Sequence, residues 1–584
     1  MRILLGFLLL YLLHINLIDS KPLQDEQKVL LSIKSSITDD PQNTLSSWNT
    51  TTNHCTWPFV TCSHHHHSPT NTTTSTVISL DISSLNLTGI LSLSNISLLT
   101  NLQKLSVADN YFSGQIPPSL SLLSNLRYLN LSDNIFNGTF PSLSSFKRLT
   151  ILDVYNNYLT GSLPLSVINM TKLRHLDLGS NYFYGKLPSG YGQLKNLKNF
   201  YVDQNNLVGE IPPELGKLEK LDSLFLWSNY FSGDIPSELG SLKTLISMDL
   251  SNNTLSGEIP RSFSLLKKLN FLNLFQNKLQ GVIPEFIGDL PELGILQLRE
   301  NNFTGNIPKN LGINGKLQVI DLSYNRLTGS LGSKELAGSR LNGTIKASIC
   351  SSTEIAILDI SNNFLTGEIP DCLGDTSTQL IALNLQANML TGEIPDSIGQ
   401  LLALRGLNLS HNHLTGRIPP SIGKLSLLDF LDLSSNRLTG RIPQELVSIT
   451  FLEIFNVSKN LLEGSIPHGN NFDTFLADSY MENLGLCGQP LAECRANRSP
   501  STDNTKDDRD ASDNDGNALS MWETIIMGFG SGMIVGVAWG YHMLSVGKPY
   551  WFIWLAHKME LALLDWCEPI CRRGTRTRTR ARRN

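Results

Sequence analysis

Residues 173–188 read LRHLDLGSNYFYGKLP, and this stretch carries a pattern that recurs along most of the chain. The pattern is L-x-L-x-x-N-x-L-x-G-x-I-P, with small variations between copies. Of the 16 intervals between successive pattern glycines, 12 are 24 residues long. A repeat at a fixed period of this length predicts a solenoid in which each copy forms one coil. The glycines are at positions 89, 114, 138, 161, 185, 209, 233, 257, 281, 305, 329, 343, 367, 392, 416, 440 and 464.

Each part of the pattern has a structural role. Leu176 and Leu178 flank Asp177, so a short strand buries its leucines on one side and exposes the polar residue on the other. The amide of Asn181 can both donate and accept hydrogen bonds, so stacked asparagines can satisfy the backbone of each turn. Gly185 permits positive φ or close approach, and the following Leu-Pro or Ile-Pro favours extended backbone. The sequence therefore predicts an α/β solenoid whose parallel strands form a concave sheet.

The composition excludes several functional classes. The 584 residues carry a net charge of −5, which argues against a nucleic-acid partner for the whole chain. Hydrophobic residues make up 41% and charged residues 17%, so the body can bury a core. No acid–base pair, nucleophile arrangement or metal-ligand spacing stands apart from the repeat, and we expect neither an enzyme nor a cofactor.

The two ends indicate a cell-surface protein. Residues 1–20 resemble a secretory signal peptide, the alternative being an uncleaved membrane anchor. Residues 524–547 contain no Asp, Glu, Lys or Arg and predict one transmembrane helix. An acidic juxtamembrane segment, 498–523, precedes it, and a short basic tail, 548–584, follows it. Positive charge concentrates on the cytosolic side, so we expect a single-pass plasma-membrane protein with its N-terminus outside, its basic tail contacting anionic lipid.

Caps must close the two ends of a solenoid because the end coils would otherwise expose their leucines. We assign an N-terminal cap to 21–76, the repeats to 77–467 and a C-terminal cap to 468–497. Outside the cell, closely spaced cysteines predict disulfides, and the similar offsets of one further pair within adjacent repeats predict a third. The predicted pairs are Cys55–Cys62, Cys487–Cys494 and Cys350–Cys372.

One segment breaks the pattern, because Gly329 and Gly343 are only 14 residues apart. The break, 330–343, is open to four interpretations: a hinge, an inserted loop, a scar of recombination or a gene-model error.

Asn-x-Ser/Thr sites are frequent before residue 524 and absent after it, in agreement with the predicted topology. Asn130, Asn408 and Asn456 carry the motif inside strands, where a glycan is expected to be excluded. His64 to His67 form a run that we interpret as a tolerated expansion in an exposed loop, the alternative being a metal site. The expected glycosylation sites are Asn49, Asn71, Asn86, Asn95, Asn137, Asn169, Asn252, Asn302, Asn342 and Asn497.

These features closely resemble plant extracellular leucine-rich repeat receptors. The coils up to about residue 331, with NLFQN (273–277) and PEFIG (284–288), look like ectodomains of CLAVATA-type receptor kinases of the "barely any meristem" group. From about residue 343, GNNFDTF (469–475) and GLCGQPL (485–491) are similar to the C-terminal signature of kinase-less receptor-like proteins. The resemblance implies a plant-type right-handed leucine-rich repeat superhelix that binds an extracellular ligand.

Residues that replace the usual Asp, Asn or Ser on the strand face are the candidate ligand-binding site. Exposed aromatic side chains on a rigid face provide contact area at low entropic cost. We expect Phe225, Trp227 and Phe275 to anchor a secreted peptide or microbial ligand, with Arg299 contributing charge. The alternative is ordinary strand variation or glycan-shielded surface. The full candidate set is Tyr155, Tyr201, Asp203, Phe225, Trp227, Phe271, Phe275, Gln297, Arg299, Glu300 and Tyr324.

The predicted membrane helix carries a second signal. Glycine recurs every fourth residue, which allows close contact with another helix. The resemblance implies that this face binds an adaptor receptor-like kinase, and that a somatic-embryogenesis-type co-receptor kinase contacts the last coils, 367–464. Two other functions are open: an inhibitor of microbial wall-degrading enzymes, against which the span argues, and a decoy or non-functional chimera. The glycines are Gly528, Gly532, Gly536 and Gly540.

Overall fold

The computed structural model describes residues 26–67, 72–329, 354–376 and 379–494. Several predictions lie outside these ranges: the signal peptide, the segments 498–523, 524–547 and 548–584 with the glycine face, Cys350, and three of the glycosylation sites, Asn71, Asn342 and Asn497. Among the described residues, no helix combines the length and apolar character that crossing a bilayer requires.

The repeat builds one long main sheet, as the sequence predicts. In each coil the central strand residue is buried and pairs in register with its counterparts, as Leu176 does with Leu152 and Phe200. The first two strands form an antiparallel hairpin and all later neighbours are parallel. Within the described residues the strands are Val60–His67, Thr72–Asp81, Lys104–Ser106, Tyr128–Asn130, Ile151–Asp153, His175–Asp177, Asn199–Tyr201, Ser223–Phe225, Ser247–Asp249, Phe271–Asn273, Ile295–Gln297, Val319–Asp321, Ile357–Asp359, Ala382–Asn384, Gly406–Asn408, Phe430–Asp432 and Ile454–Asn456.

A second set of strands follows the asparagine of each coil, and the sequence reasoning missed it. Tyr182, Phe183 and Tyr184 alternate between exposed and buried, which is the period of a strand. In the described residues the first sheet of this set comprises Ile37–Asp39, Thr88–Ile90, Tyr111–Gln115, Ile135–Thr139, Tyr158–Ser162, Tyr182–Lys186, Asn206–Gly209, Tyr230–Asp234 and Thr254–Ser256. Shorter sheets contain Gln280–Val282, Asn302–Gly305 and Arg326–Leu327; Thr366–Gly367 and Met389–Leu390; and Thr439–Gly440, Leu461–Ser465 and Gly485–Cys487.

The pattern glycine lies in or just after these short strands and has positive φ. Gly257 has φ of +74°, and a Cβ atom there would lie 2.5 Å from Oδ1 of Asp234 on the preceding coil. The positive φ disfavours any residue with a side chain here, and such a side chain would also displace Asp234. The predicted role of the glycine is confirmed.

Short helices return each coil to the main sheet. A proline in extended conformation, such as Pro188, precedes most of them, since its fixed φ suits the start of a helical turn. Within the described residues the α-helices are Glu26–Ser35, Leu93–Ile96 and Cys372–Thr376. The described 3₁₀ helices are His54–Thr56, Pro118–Leu122, Leu165–Asn169, Ser189–Gln193, Pro213–Lys217, Ser237–Ser241, Arg261–Leu265, Glu285–Ile287, Asp396–Gln400, Pro420–Lys424, Gln444–Ser448, Asn470–Thr474 and Ala477–Ser479.

The asparagine ladder satisfies buried backbone between coils. Asn205 donates from Nδ2 to the carbonyl oxygens of Leu178, Val202 and Asp203 at 2.9–3.2 Å. Its Oδ1 accepts from the backbone N–H of Phe183 at 2.9 Å. The same pattern recurs at Asn229 and other coil asparagines, so the predicted role of this residue is confirmed.

The main sheet runs directly across the break in the repeat. Val319 pairs with Ile357 and Asp321 with Asp359, so neighbouring strands are here 38 residues apart along the chain. Cys372 is disulfide-bonded, while Cys350, its predicted partner, lies outside the described residues.

Both ends of the described solenoid are capped as expected. The N-terminal cap stacks Trp48 on Trp57 with 5.3 Å between ring centroids, beside the disulfide between Cys55 and Cys62. Phe455 packs against the C-terminal cap, which the second predicted disulfide stabilises. The two members of that disulfide are Cys487 and Cys494.

The histidine run is not a loop. His64 to His67 continue the strand Val60–His67 and pair with Thr72 to Ser75. The sequence interpretation of an exposed loop was wrong because a Thr-rich complementary strand follows the run.

Candidate functional site

The candidate ligand-binding residues lie in four columns along the solvent side of the main sheet, which we call the strand face. Parallel registration aligns the third strand residue of each coil, for example Tyr201 with Phe225. The alignment continues two residues beyond the strand, because backbone N–H groups such as those of Leu178 and Ser180 donate to carbonyl oxygens of the next coil. Phe271 is a first strand residue; Tyr201, Phe225 and Gln297 are third residues; Tyr155, Asp203, Trp227, Phe275 and Arg299 lie two residues later; Glu300 and Tyr324 directly precede the asparagine.

Aromatic rings connect three successive coils at one end of this set. Tyr201 stacks on Phe225 with centroids 4.7 Å apart, and His175 meets the edge of Tyr201 at 5.6 Å. Burial lowers the pKa of His175 to about 4, so its ring is neutral at physiological pH. We call the following set the N-terminal cluster: Asp153, Tyr155, His175, Asp177, Tyr201, Asp203 and Phe225.

Three carboxyl groups of the N-terminal cluster have no cationic partner among the described residues. Burial raises the pKa of Asp153 to about 6, with a smaller contribution from Asp133. Burial and the charge of Asp153 raise the pKa of Asp177 to about 8. Burial raises the pKa of Asp203 to about 7, with a further contribution from Asp249. The cluster thus holds one buried and two partly buried carboxyl groups whose ionised forms are disfavoured at neutral pH.

The strand acids differ between coils in the hydrogen bonds that they accept, although burial also raises the pKa of Asp249. Asp249 accepts from the N–H of Ser251 at 2.9 Å, from Oγ of Ser251 at 2.6 Å and from Nδ2 of Asn273 at 3.0 Å. Asp177, by contrast, is followed two residues later by Gly179, which offers only its backbone N–H at 3.0 Å. The Asp-x-Ser arrangement, in which a serine hydroxyl donates to the strand acid as at Asp249, is therefore absent at Asp177.

The other end of the set is organised around Arg299. Its guanidinium lies over the rings of Phe275 and Tyr324, 5.5 and 5.0 Å from their centroids. Nη2 pairs with Oε1 of Glu300 at 3.0 Å. We call Phe275, Arg299, Glu300, Asp321, Tyr324 and Asp359 the arginine cluster.

Arg299 was expected to offer its charge to a ligand, and the structure places its guanidinium against groups of the protein itself. The residue is only 6% exposed. Burial and mutual repulsion raise the pKa of Asp321, and the charge of Arg299 opposes that rise for both Asp321 and Asp359. The guanidinium is therefore needed to balance the protein's own acids.

Trp227, Phe271 and Gln297 are partly exposed between the two clusters, and Tyr324 is 41% exposed at the edge. Glu300 and Tyr324 have φ of 52°, as do equivalent residues of most coils, a conformation that turns the chain out of the strand. The sequence reasoning missed this left-handed position.

A second aromatic surface lies on the sheet that follows the asparagines. Its tyrosines are about half exposed, and Tyr158 stacks on Tyr182 at 5.9 Å. The signal was present in the sequence as an aromatic residue directly after the asparagine. The exposed members are Tyr111, Tyr158, Tyr182, Tyr184 and Tyr230.

One group of potential metal ligands occurs among the described residues, at His54, Cys55 and Cys62. The two cysteines are joined in a disulfide, so their thiolates are unavailable. His54 lies 3.6 Å from Glu26, which leaves at most two ordinary ligands and no recognisable metal site there.

The described glycosylation motifs differ in accessibility. Asn86, Asn137, Asn169 and Asn252 are exposed, while Asn49, Asn95 and Asn302 are partly exposed. Their occupancy stays a prediction.

Comparisons with known proteins agree with this architecture. The family model described as the leucine rich repeat N-terminal domain matches residues 23–63, and leucine rich repeat models match 101–123, 125–146, 148–170, 172–194, 196–218, 219–279, 355–376, 379–401, 403–425 and 427–449. Receptor-like protein 9DC3 of Solanum pimpinellifolium is 37% identical over 92 residues, which are 16% of this chain and 10% of that protein. The chain thus aligns with about a tenth of this curated relative.

Two solved structures are similar over a longer stretch. The ectodomain of the plant membrane receptor kinase GASSHO1/SCHENGEN3 from Arabidopsis thaliana, in complex with CASPARIAN STRIP INTEGRITY FACTOR 2, is 36% identical with a TM-score of 0.61, covering 69% of this chain and 49% of that chain. The plant peptide hormone receptor RGFR1, in complex with RGF2, is 30% identical with a TM-score of 0.61, covering 69% and 65%. With its N-terminal cap and its repeats, the described chain has the architecture of a plant leucine-rich repeat receptor-like protein ectodomain.

Proposed function

We propose that the chain is a plant cell-surface receptor-like protein whose strand face, between residues 151 and 324, binds a secreted peptide or a microbial ligand. Its relatives are receptor-like proteins and receptor ectodomains, and one similar structure is a peptide hormone receptor in complex. Ligand binding outside the cell is the function that this architecture supports best.

One observation carries the proposal: partly exposed aromatic side chains interrupt columns that are otherwise filled by Ser, Asn and Asp. In the third-residue column Phe225 stands beside Asp249, and in the next column Trp227 stands beside Ser251. Aromatic side chains bury much area with few rotatable bonds, which makes them effective anchors. With strands about 4.8 Å apart, Trp227 and Phe275 are roughly 10 Å apart, a span that an extended peptide covers in three residues.

The test is capture of peptides by the full-length protein from plant apoplastic and microbial extracts, read by mass spectrometry. We expect defined peptides to be retained by the unaltered protein and lost from the Trp227→Ala/Phe275→Ala double variant. Equal retention by the two proteins would reject the strand face as the binding surface.

A matched control separates this surface from the second aromatic surface. The Tyr111→Ala/Tyr230→Ala variant removes two rings of comparable size that are 55% and 58% exposed. It should capture the same peptides as the unaltered protein.

We infer that signalling proceeds through partner kinases: an adaptor receptor-like kinase at the glycine face of 524–547 and a somatic-embryogenesis-type co-receptor kinase at the last coils. The support is the four-residue glycine spacing, which permits close helix contact, and the receptor-like character of the relatives. Gly532→Leu with Gly536→Leu should abolish co-purification of the adaptor kinase. Unchanged co-purification would contradict this inference.

A further inference from the structure

Gly179 leaves a recess on the strand face between Tyr155 and Asp203. A Cβ atom at this glycine would lie 3.0 and 3.1 Å from the two carboxylate oxygens of Asp203 and 3.2 Å from Oδ1 of Asp177. Both carboxyl groups therefore point into the space that a side chain at position 179 would fill. We call this space the Gly179 recess.

Asp203 is the unusual member of the recess. It is only 5% exposed, and among the described residues the donor to its carboxylate is its own backbone N–H. The serine at the equivalent position of a later coil, Ser251, is instead bonded to the acid of its own coil. A buried carboxylate without an external donor is costly unless a partner supplies hydrogen bonds and positive charge.

We propose that the Gly179 recess binds a guanidinium group, carried by an arginine of the extracellular ligand. This assignment rests on the proposed function and deepens it by specifying one chemical feature of the ligand. The geometry points to a planar, two-sided donor because two carboxyl groups converge on one small space.

The surroundings favour guanidinium over a smaller cation. Its five N–H donors can bond two carboxylates simultaneously, and its flat faces stack on aromatic rings. Tyr201 pairs in register with Asp177, and its ring stacks on Phe225, so an aromatic wall stands directly beside the acids. The nearby titratable groups are Asp133, Asp153, Tyr155 and the neutral His175, and the structure shows no cation in contact with them among the described residues.

The experiment titrates the full-length protein with the tripeptide acetyl-Gly-Arg-Gly-amide at pH 7.5 in a calorimeter. The control ligand is the same peptide with citrulline, which has nearly the same shape and no charge. We expect the arginine peptide to bind at least tenfold more tightly than the citrulline peptide. Binding should also release protons, because the carboxyl groups with raised pKa values must ionise. Equal binding of the two peptides, or tighter binding of calcium than of the arginine peptide, would overturn the proposal.

Gly179→Ser is the decisive variant. Gly179 does not have positive φ, so serine fits the backbone, and its hydroxyl can bond Asp177 as Ser251 bonds Asp249. The variant should fold and lose at least tenfold in affinity for the arginine peptide. The control variant Asp432→Asn removes a strand-face carboxyl group on a distant coil and should bind normally. An arginine affinity that survives Gly179→Ser would contradict the proposed location.

The two proposals fail separately. If extract peptides are retained through Trp227 and Phe275 but the arginine peptide binds no better than citrulline, the strand face stands and the recess assignment falls. If the arginine peptide binds but Trp227→Ala/Phe275→Ala leaves capture unchanged, the recess stands and the two aromatic anchors fall.

Discussion

The N-terminal cluster and the arginine cluster both place buried acids beside aromatic rings on the same sheet, and only one of them contains its own cation. In the arginine cluster, Arg299 opposes the raised pKa of Asp321 and Asp359 and stacks between Phe275 and Tyr324. In the N-terminal cluster, the described structure provides no such group for Asp177 or its neighbours.

The difference teaches how to separate structural from binding residues on a repetitive face. A charge that is already balanced inside the protein has little to offer a ligand, since breaking the internal pair costs more than the new contact returns. An acid that is buried but unbalanced is a cost to the folded protein, and a bound cation relieves that cost. Four sets of variants test this difference between the two clusters.

The largest effect is expected from Arg299→Met. Removing the guanidinium leaves buried acids without their cation and removes its contacts with Phe275 and Tyr324. We expect a loss of about 3 kcal/mol in the free energy of unfolding at pH 7.5, measured by urea denaturation. The exposed pair of Lys198 and Asp222 is the control, and Lys198→Met should cost less than about 1 kcal/mol. Equal losses would contradict the internal role of Arg299.

Asp177→Asn should change the free energy of unfolding in the opposite direction, towards greater stability. Burial raises the pKa of Asp177 to about 8 in the folded protein, so the stability that its protonated form provides is lost as pH rises from about 4 through 8. The amide cannot ionise, so the variant should be more stable than the parent at pH 8, by on the order of 1–3 kcal/mol, and nearly equal at pH 4. Thermal unfolding at the two pH values measures this.

The control for that prediction is Asp249→Asn, which alters a carboxyl group that already accepts bonds from Ser251 and Asn273. It should be neutral or destabilising at pH 8. If both variants stabilise the protein equally, the contrast between the two kinds of acid is wrong.

Two reciprocal substitutions, both at the position two residues after a main-sheet strand, should have a smaller effect on stability. Gly179→Ser supplies a hydroxyl donor to Asp177, and Ser251→Gly removes one from Asp249. We expect a gain and a loss of about 1 kcal/mol each at pH 7.5, the value of one hydrogen bond. The free energies of unfolding should thus change in opposite directions, and a shift in the same direction would refute the Asp-x-Ser explanation.

The smallest effect is expected for Tyr201→Leu, which keeps apolar bulk and removes the contacts of its ring with His175 and Phe225. A loss of about 0.5–1.5 kcal/mol should appear in urea denaturation. A loss above about 3 kcal/mol would show that Tyr201 is a core residue rather than part of a surface.

The sequence predicted the repeat well because each coil uses the same residues for the same task. The strand around Leu176, the bonding of Asn205 and the turn at Gly257 all follow from residue type and spacing. The second set of strands was missed because alternation over three residues, as at Tyr182 to Tyr184, is too short to separate from loop.

The candidate site was predictable only in part. Aromatic replacements such as Phe225 stand out from the polar filler, and they do line the strand face. The interaction of Arg299 with the protein's own acids could not be predicted from the sequence, because it involves acids that are distant along the chain, such as Asp359. Asp177 was passed over as ordinary filler, although the missing serine at position 179 was a readable signal.

If the ligand lies on the strand face, photo-cross-linking from positions 227 and 230 should distinguish that face from the second aromatic surface. Trp227 and Tyr230 are three residues apart, one on the strand face and the other on the second aromatic surface. Trp227→p-benzoylphenylalanine and Tyr230→p-benzoylphenylalanine place the same photo-reactive group on each surface of the full-length protein. After irradiation with captured peptides, mass spectrometry should find cross-links from position 227 and none from 230. Cross-links from 230 alone would contradict the account.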